Sequence, residues 1–132
     1  MRITADTNTF LATALNEPEK KAIIEITTGH ELVSPEILPF EIGNALSAAF
    51  KKKRLTKEEV VNAYKETQQI PVESRKIDIK SALEIACEHN IYAYDAYFLE
   101  CAKSLRCPLL TLDGPLRKVA KKLGIKLIQV AA

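Results

Sequence analysis

The sequence predicts an α/β fold: a mostly parallel sheet of four to five short strands with helices on both faces. Two observations carry this. Short β-type runs alternate with longer stretches of helical periodicity along the whole chain. Strands separated by helices need crossover connections, which make neighbouring strands parallel and cover both sheet faces. A third observation sets the domain count. The 132 residues are 47% hydrophobic, with no repeat, low-complexity tract or composition break, so residues 1–132 are expected to form one domain around one core.

In order, Arg2–Ala5 is a brief strand and Asn8–Leu15 a helix. Pro18–Thr28 is a second helix, with Pro in its first turn and Gly29 just beyond its end. Glu31–Ser34 is a short strand. From Ile37 to about Lys53, the apolar residues Ile37, Leu38, Ile42, Ala45, Leu46 and Ala49 recur at helical spacing. Thr56 opens the next helix, and Thr56 with Glu59 has the spacing of a capping box. Ile70–Lys76 reads as an extended connection broken by Pro71. Helices follow over Ile77–His89 and Tyr94–Leu105, then a buried strand over Pro108–Leu112. A short helix over Leu116–Leu123, closed by Gly124, leads to a last strand over Ile125–Val130.

Composition excludes several classes. The net charge is +2 from 19 basic and 17 acidic residues, so any nucleic-acid footprint must come from local clustering. No apolar run approaches the roughly 18–20 residues that span a bilayer, and Asp6 arrives too early for a signal peptide. A soluble, cytoplasmic protein is expected. Cys87, Cys101 and Cys107 have neither disulfide nor zinc spacing and read as small apolar residues.

The informative residues are four carboxylates. Glu41 falls on the apolar stripe Ile37, Ala45, Ala49 of its helix, and Asp95 heads the stripe Phe98, Leu99, Ala102, Leu105. No lysine or arginine shares either stripe within a turn, and a buried carboxylate without a partner is expensive. Asp6 and Asp113 directly follow strands, at the sheet edge where open parallel sheets build their sites. Aspartate is also scarce, four against thirteen glutamates, yet three of the four stand in this set. Each has a bland alternative. Asp6 and Asp95 can cap helices, Asp113-Gly114-Pro115 is an ordinary turn, and Asp78 is fully explained as a cap. Glu41, in mid-helix, has no such explanation.

Four converging carboxylates repel one another unless protons or a divalent cation intervene. Oxygen-only ligation without His or Cys suits Mg²⁺ or Mn²⁺. Such ions activate water and stabilise the leaving oxygen of a phosphodiester, so metal-dependent phosphodiester hydrolysis is the expected chemistry.

These residues stand in motifs that resemble those of PIN-domain nucleases, specifically the VapC-type toxin group. Ala5-Asp6-Thr7-Asn8-Thr9-Phe10-Leu11 is similar to the family's opening motif, and Pro39-Phe40-Glu41-Ile42-Gly43-Asn44-Ala45-Leu46 to its second. Tyr94-Asp95-Ala96-Tyr97-Phe98-Leu99-Glu100-Cys101-Ala102 matches the third, and Leu109-Leu110-Thr111-Leu112-Asp113 the fourth. The resemblance implies a three-layer α/β/α fold with a parallel five-stranded sheet, Mg²⁺- or Mn²⁺-dependent endoribonuclease activity, a homodimer and a small antitoxin partner. It makes Asp6 and Asp95 the principal metal ligands, with Asp113 and Glu41 completing the catalytic set. Asn8 and Thr111 would support the carboxylates by hydrogen bonding. Some members carry a further acid beyond the fourth; Gly114-Pro115-Leu116-Arg117 offers none.

An RNA substrate also needs positive charge near the acids. Arg117, Lys118, Lys121 and Lys122 lie outward on the helix after Asp113, and Lys51-Lys52-Lys53-Arg54 closes the Glu41 helix. The first cluster is the expected RNA-binding set, although either can be a solvated helix face. Tyr92, Tyr94 and Tyr97 flank Asp95 and could stack on bases, with core packing expected for at least two of them. Two other readings stay open: a housekeeping RNA-processing nuclease, and a binding module that keeps the acidic pocket without turnover.

Overall fold

Two strands buried at the middle of the sheet organise the molecule, whose computed structural model describes residues 1–130. Ala131 and Ala132, the end of the expected domain, lie outside the described residues. Strands β1 (Arg2–Ala5), β2 (Glu31–Pro35), β3 (Glu73–Arg75) and β4 (Leu109–Leu110) form one parallel sheet in the order β3-β2-β1-β4. The helices are α1 (Thr7–Ala14), α2 (Lys20–Thr27), α3 (Leu38–Lys51), α4 (Lys57–Gln68), α5 (Ile79–His89), α6 (Ala93–Leu105) and α7 (Gly114–Lys122).

Alternation along the strands divides the core in two. Ile3, Ala5 and Leu110 point to one face, where they pack with Phe10, Ile23, Ile42, Leu46 and Ala63 from α1–α4. Leu109 points to the other, against Ala82 and Ile85 of α5, Leu99 and Ala102 of α6, and Val119 and Ala120 of α7. On that second face the Thr4 hydroxyl lies 3.1 Å from Cys107 Sγ and 3.8 Å from the buried Cys101 Sγ. The expected three layers are therefore present.

Local signals place most elements. The capping box of α4 is complete: Thr56 accepts from the Glu59 N–H at 3.2 Å, and Glu59 Oε1 accepts from the Thr56 N–H at 2.8 Å. Asp78 caps α5 by accepting from the Ser81 N–H at 3.1 Å, as expected of it. Gly29 and Gly124, at φ +82° and +73°, follow α2 and α7 in the left-handed conformation that suits glycine.

The structure corrects the sequence reading in three places. The extended connection over Ile70–Lys76 contains edge strand β3, whose Glu-Ser-Arg run is exposed throughout and has no apolar alternation to reveal it. The last strand expected over Ile125–Val130 reduces to one bridge, Leu109 to Leu127. Leu109 donates to the Lys126 carbonyl and accepts from the Ile128 N–H, but β4 is too short to extend the ladder. The described sheet thus has four strands. Among the tyrosines, only Tyr97 packs against the core; Tyr92 is 84% and Tyr94 57% exposed.

Candidate active site

In the parallel sheet β3-β2-β1-β4, the strand order reverses between β1 and β4, and their carboxyl ends frame a cleft of about 370 Å³. A crevice at such a reversal is where open parallel sheets bind ligands. The cleft walls hold all four sequence-predicted carboxylates: Asp6, Glu41, Asp95 and Asp113. Each arrives from a different element, and in each case the local structure leaves the carboxylate directed inward.

Asp6 immediately follows β1 and is the N-cap of α1. Its Oδ1 accepts from the Thr9 N–H at 3.1 Å and the Thr9 hydroxyl at 2.8 Å, and Oδ2 accepts from the Thr111 hydroxyl. The capping reading of Asp6 is met, by a buried side chain that also lines the cleft. Asp113 holds the N-cap position of α7 but makes no side-chain capping bond. Asp95 sits in the first turn of α6, one turn in from the N-cap residue Tyr92, so it too is not a cap. Glu41, expected in mid-helix, lies instead in the first turn of α3, which begins at Leu38, and there Thr7 donates to Oε2 at 3.0 Å. Its Oε1 is buried with no hydrogen-bond partner.

Hydroxyl groups knit the acids together. Thr111 donates to Asp6 and accepts from the Asp113 N–H at 3.1 Å, linking two strand ends in one contact. Asn8, the other expected supporting residue, lines the cleft. Thr7 and Thr9 were missed by sequence reasoning, although both stand within the Asp-Thr-Asn-Thr run that follows β1. Residues one and three beyond a capping aspartate lie in the first helical turn, close enough to reach acids at the strand end. Phe40, Asn44, Tyr94 and Phe98 complete the wall.

The electrostatics follow from burial and crowding. Desolvation raises the Asp6 carboxyl above the ordinary aspartate value, against the lowering effect of the Thr111 and Thr9 hydrogen bonds, and the Asp113 charge adds to the rise. Desolvation also raises Glu41, opposed by Thr7 and reinforced by Asp95 and Asp6. Asp95 is raised by desolvation and then by Asp113. No lysine or arginine lines the cleft to offset this charge. A buried acceptor without a donor, Glu41 Oε1, among mutually repelling acids is the donor set a hard divalent cation satisfies. Among the described residues, no three His, Cys, Asp or Glu side chains converge tightly enough to enclose an ion alone.

The basic residues expected near the acids are not in the cleft wall. The Arg117 guanidinium donates to the Thr111 carbonyl at 3.2 Å and the Ile128 carbonyl at 3.3 Å, which ties it to the fold. Lys118, Lys121 and Lys122 are exposed on α7, away from the side that carries Leu116 to the cleft. No helix is long and apolar enough to cross a membrane among the described residues.

Comparison with known proteins places this architecture. A structure of a protein from Pyrobaculum aerophilum matches with a TM-score of 0.68 and 18% identity, over 94% of this chain and 90% of that one. VapBC2 from Rickettsia felis, bound to a DNA fragment from its promoter, matches with a TM-score of 0.70 and 13% identity, over 99% and 100%. A toxin–antitoxin complex from Klebsiella pneumoniae matches at 0.57 and 19%, over 84% and 86%. No curated protein matches the chain in sequence. The profile of the PIN domain covers residues 3–122, which takes in all four carboxylates and every described strand and helix but for Arg2 of β1, and the chain belongs to the PIN domain family.

Proposed function

We propose that this chain is a single nuclease domain: a Mg²⁺- or Mn²⁺-dependent endoribonuclease that acts as the toxin of a toxin–antitoxin pair. The observation that supports the chemistry is that four carboxylates from separate elements line one cleft, with Glu41 Oε1 buried and unpartnered. Asp6, Asp95, Asp113 and Glu41 would hold the cation, directly or through its waters. When bound, the ion supplies Lewis-acid activation of water and neutralises charge on the scissile phosphodiester.

The remaining steps belong to the chain's own groups. Thr9 and Thr111 fix both Asp6 oxygens, and Thr7 fixes one Glu41 oxygen, so the acids need little reorganisation on loading. Glu41, whose other oxygen is held by Thr7, would accept a proton from the attacking water. Exposed Phe40 and Tyr94 at the rim offer faces to unpaired bases, which favours a single strand over a duplex.

The toxin assignment draws on the similar structures, of which one is a toxin–antitoxin complex and another the VapBC2 pair. An antitoxin would be a small protein that inserts a segment into the acidic cleft, and a homodimer would cover exposed side chains such as Ile79 and Leu83 on α5.

The test is cleavage of a cellular RNA pool by purified, antitoxin-free protein in Mg²⁺, Mn²⁺ or EDTA, beside Asp6→Asn and Asp95→Asn. Discrete fragments that require metal and both aspartates are expected. Folded protein that cuts nothing in either metal would leave a binding module in place of the nuclease.

A further inference from the structure

The solvent face of α3 joins the cleft to a second hollow, and the residues along it have a common logic. Phe40, Asn44, Ser47 and Lys51 recur at intervals of four, three and four, which on a helix puts them within about 60° of one another. All four are exposed, and the first two line the carboxylate cleft. Phe40 is 74% exposed although it is a large apolar side chain. At the other end, about 16 Å along the axis, Lys51, Lys53, Arg54 and half-exposed Phe50 line a hollow of about 410 Å³ with Leu55, Thr56 and Glu59.

Four consecutive cations, Lys51 to Arg54, make no salt bridge among the described residues; the bridges found involve Arg2 and Arg75. Glu59, the acid in the hollow, accepts from the Thr56 N–H through Oε1. A helix C-terminus stabilises one or two nearby cations. It accounts neither for four in succession nor for an exposed aromatic beside them.

We infer that this face of α3 is a single-strand nucleic-acid track, running from the carboxylates past Phe40, Asn44 and Ser47 to phosphate contacts at Lys51–Arg54. The inference rests on the nuclease reading and adds the path of the strand. Bases stack on Phe40 at the cleft and on Phe50 at the basic end, while the cations neutralise the backbone between and beyond them. The α7 cluster is the poorer track, because Arg117 is bound to backbone carbonyls and Lys118, Lys121 and Lys122 face away from the cleft.

The test uses the full chain carrying Asp95→Asn, which is expected to bind without cutting. A fluorescein-labelled oligouridylate of about 12 nucleotides is titrated by anisotropy over a range of KCl concentrations. In this background, Lys51→Glu with Lys52→Glu and Arg54→Glu is compared with Lys118→Glu, Lys121→Glu and Lys122→Glu, which change net charge equally. The α3 set should weaken binding at least about ten-fold and reduce the log–log salt slope by roughly two. The α7 set should change affinity by less than about three-fold, and Phe40→Ala should weaken binding about ten-fold with the slope unchanged. Thermal melts confirm that each variant is folded.

Equal or greater loss from the α7 set, or no loss from the α3 set, overturns the track. So does equal discrimination against polyglutamate, which would make the face a docking site for acidic protein. The two readings fail separately. Wild-type protein that cuts RNA while the α3 set binds normally removes only the track. Wild-type protein that binds oligouridylate through α3 but never cuts removes only the nuclease.

Discussion

Thr111 shows how much of this site depends on groups that carry no charge. Its hydroxyl holds Asp6 and receives the Asp113 N–H, so one small side chain aligns two acids from neighbouring strand ends. Thr111→Val keeps the shape and removes both bonds. On the proposed function, metal affinity should fall by roughly 10–100-fold, read by titration calorimetry with Mn²⁺ at a temperature where the variant is shown to be folded. Asp6 makes a different prediction. Its carboxyl is raised in the folded protein, so the folded state binds a proton that the unfolded chain releases near the ordinary value of 3.8. Its stabilising contribution is therefore fully present below that value and is lost as pH rises through the folded value. Asp6→Asn has no such proton to lose. In metal-free protein the melting temperature of Asp6→Asn relative to wild type should rise from pH 4 towards neutrality, and Mg²⁺ should close the gap by stabilising only the wild type. A difference that is flat with pH would refute this account. At this scale the sequence made the acids legible because a carboxylate on an apolar stripe has few explanations. It hid Thr7 and Thr9, because a threonine after a strand has many.

Among the elements, the most legible were those whose ends are written in local chemistry. Thr56 and Glu59 predicted the start of α4, and the structure has both reciprocal bonds. Thr56→Ala removes one of them and should cost about 1 kcal/mol, seen as a lower urea midpoint with unchanged slope. The elements that were misread are defined by partners distant in sequence. β3 is a three-residue polar edge strand that exists because β2 offers it a ladder, and nothing in Glu73-Ser74-Arg75 announces that. The run Ile125–Val130 failed in the opposite sense. Ile125 is buried and Leu127, Ile128 and Val130 are half-buried, yet a two-residue β4 gives the run a single bridge. Tyr92 and Tyr94 were misjudged because aromatic residues beside a core helix usually pack, whereas here the helix N-terminus opens onto the cleft.

For the molecule as a whole, the fold class was readable from the alternation of strands and helices, but the strand order was not, since it depends on which crossovers pass which face. The order found has a consequence in time. β1 is made first and sits in the middle, yet its second neighbour, β4, lies near the other end of the sequence; Thr111 and Asp6, which touch, are 105 residues apart. Closing so long a loop is entropically slow, whereas consecutive α5 and α6 can pair early. In pulse-labelled hydrogen exchange during refolding, the amides of α5 and α6 should gain protection before those of Thr4 and Asp6, which donate to the carbonyls of Pro108 and Leu110. Simultaneous protection would show a single concerted step. Because β4 brings Thr111 and Asp113 with it, a chain that has formed every earlier helix still has no cleft. Whatever this protein does to its substrate, that ability is the last thing its folding delivers.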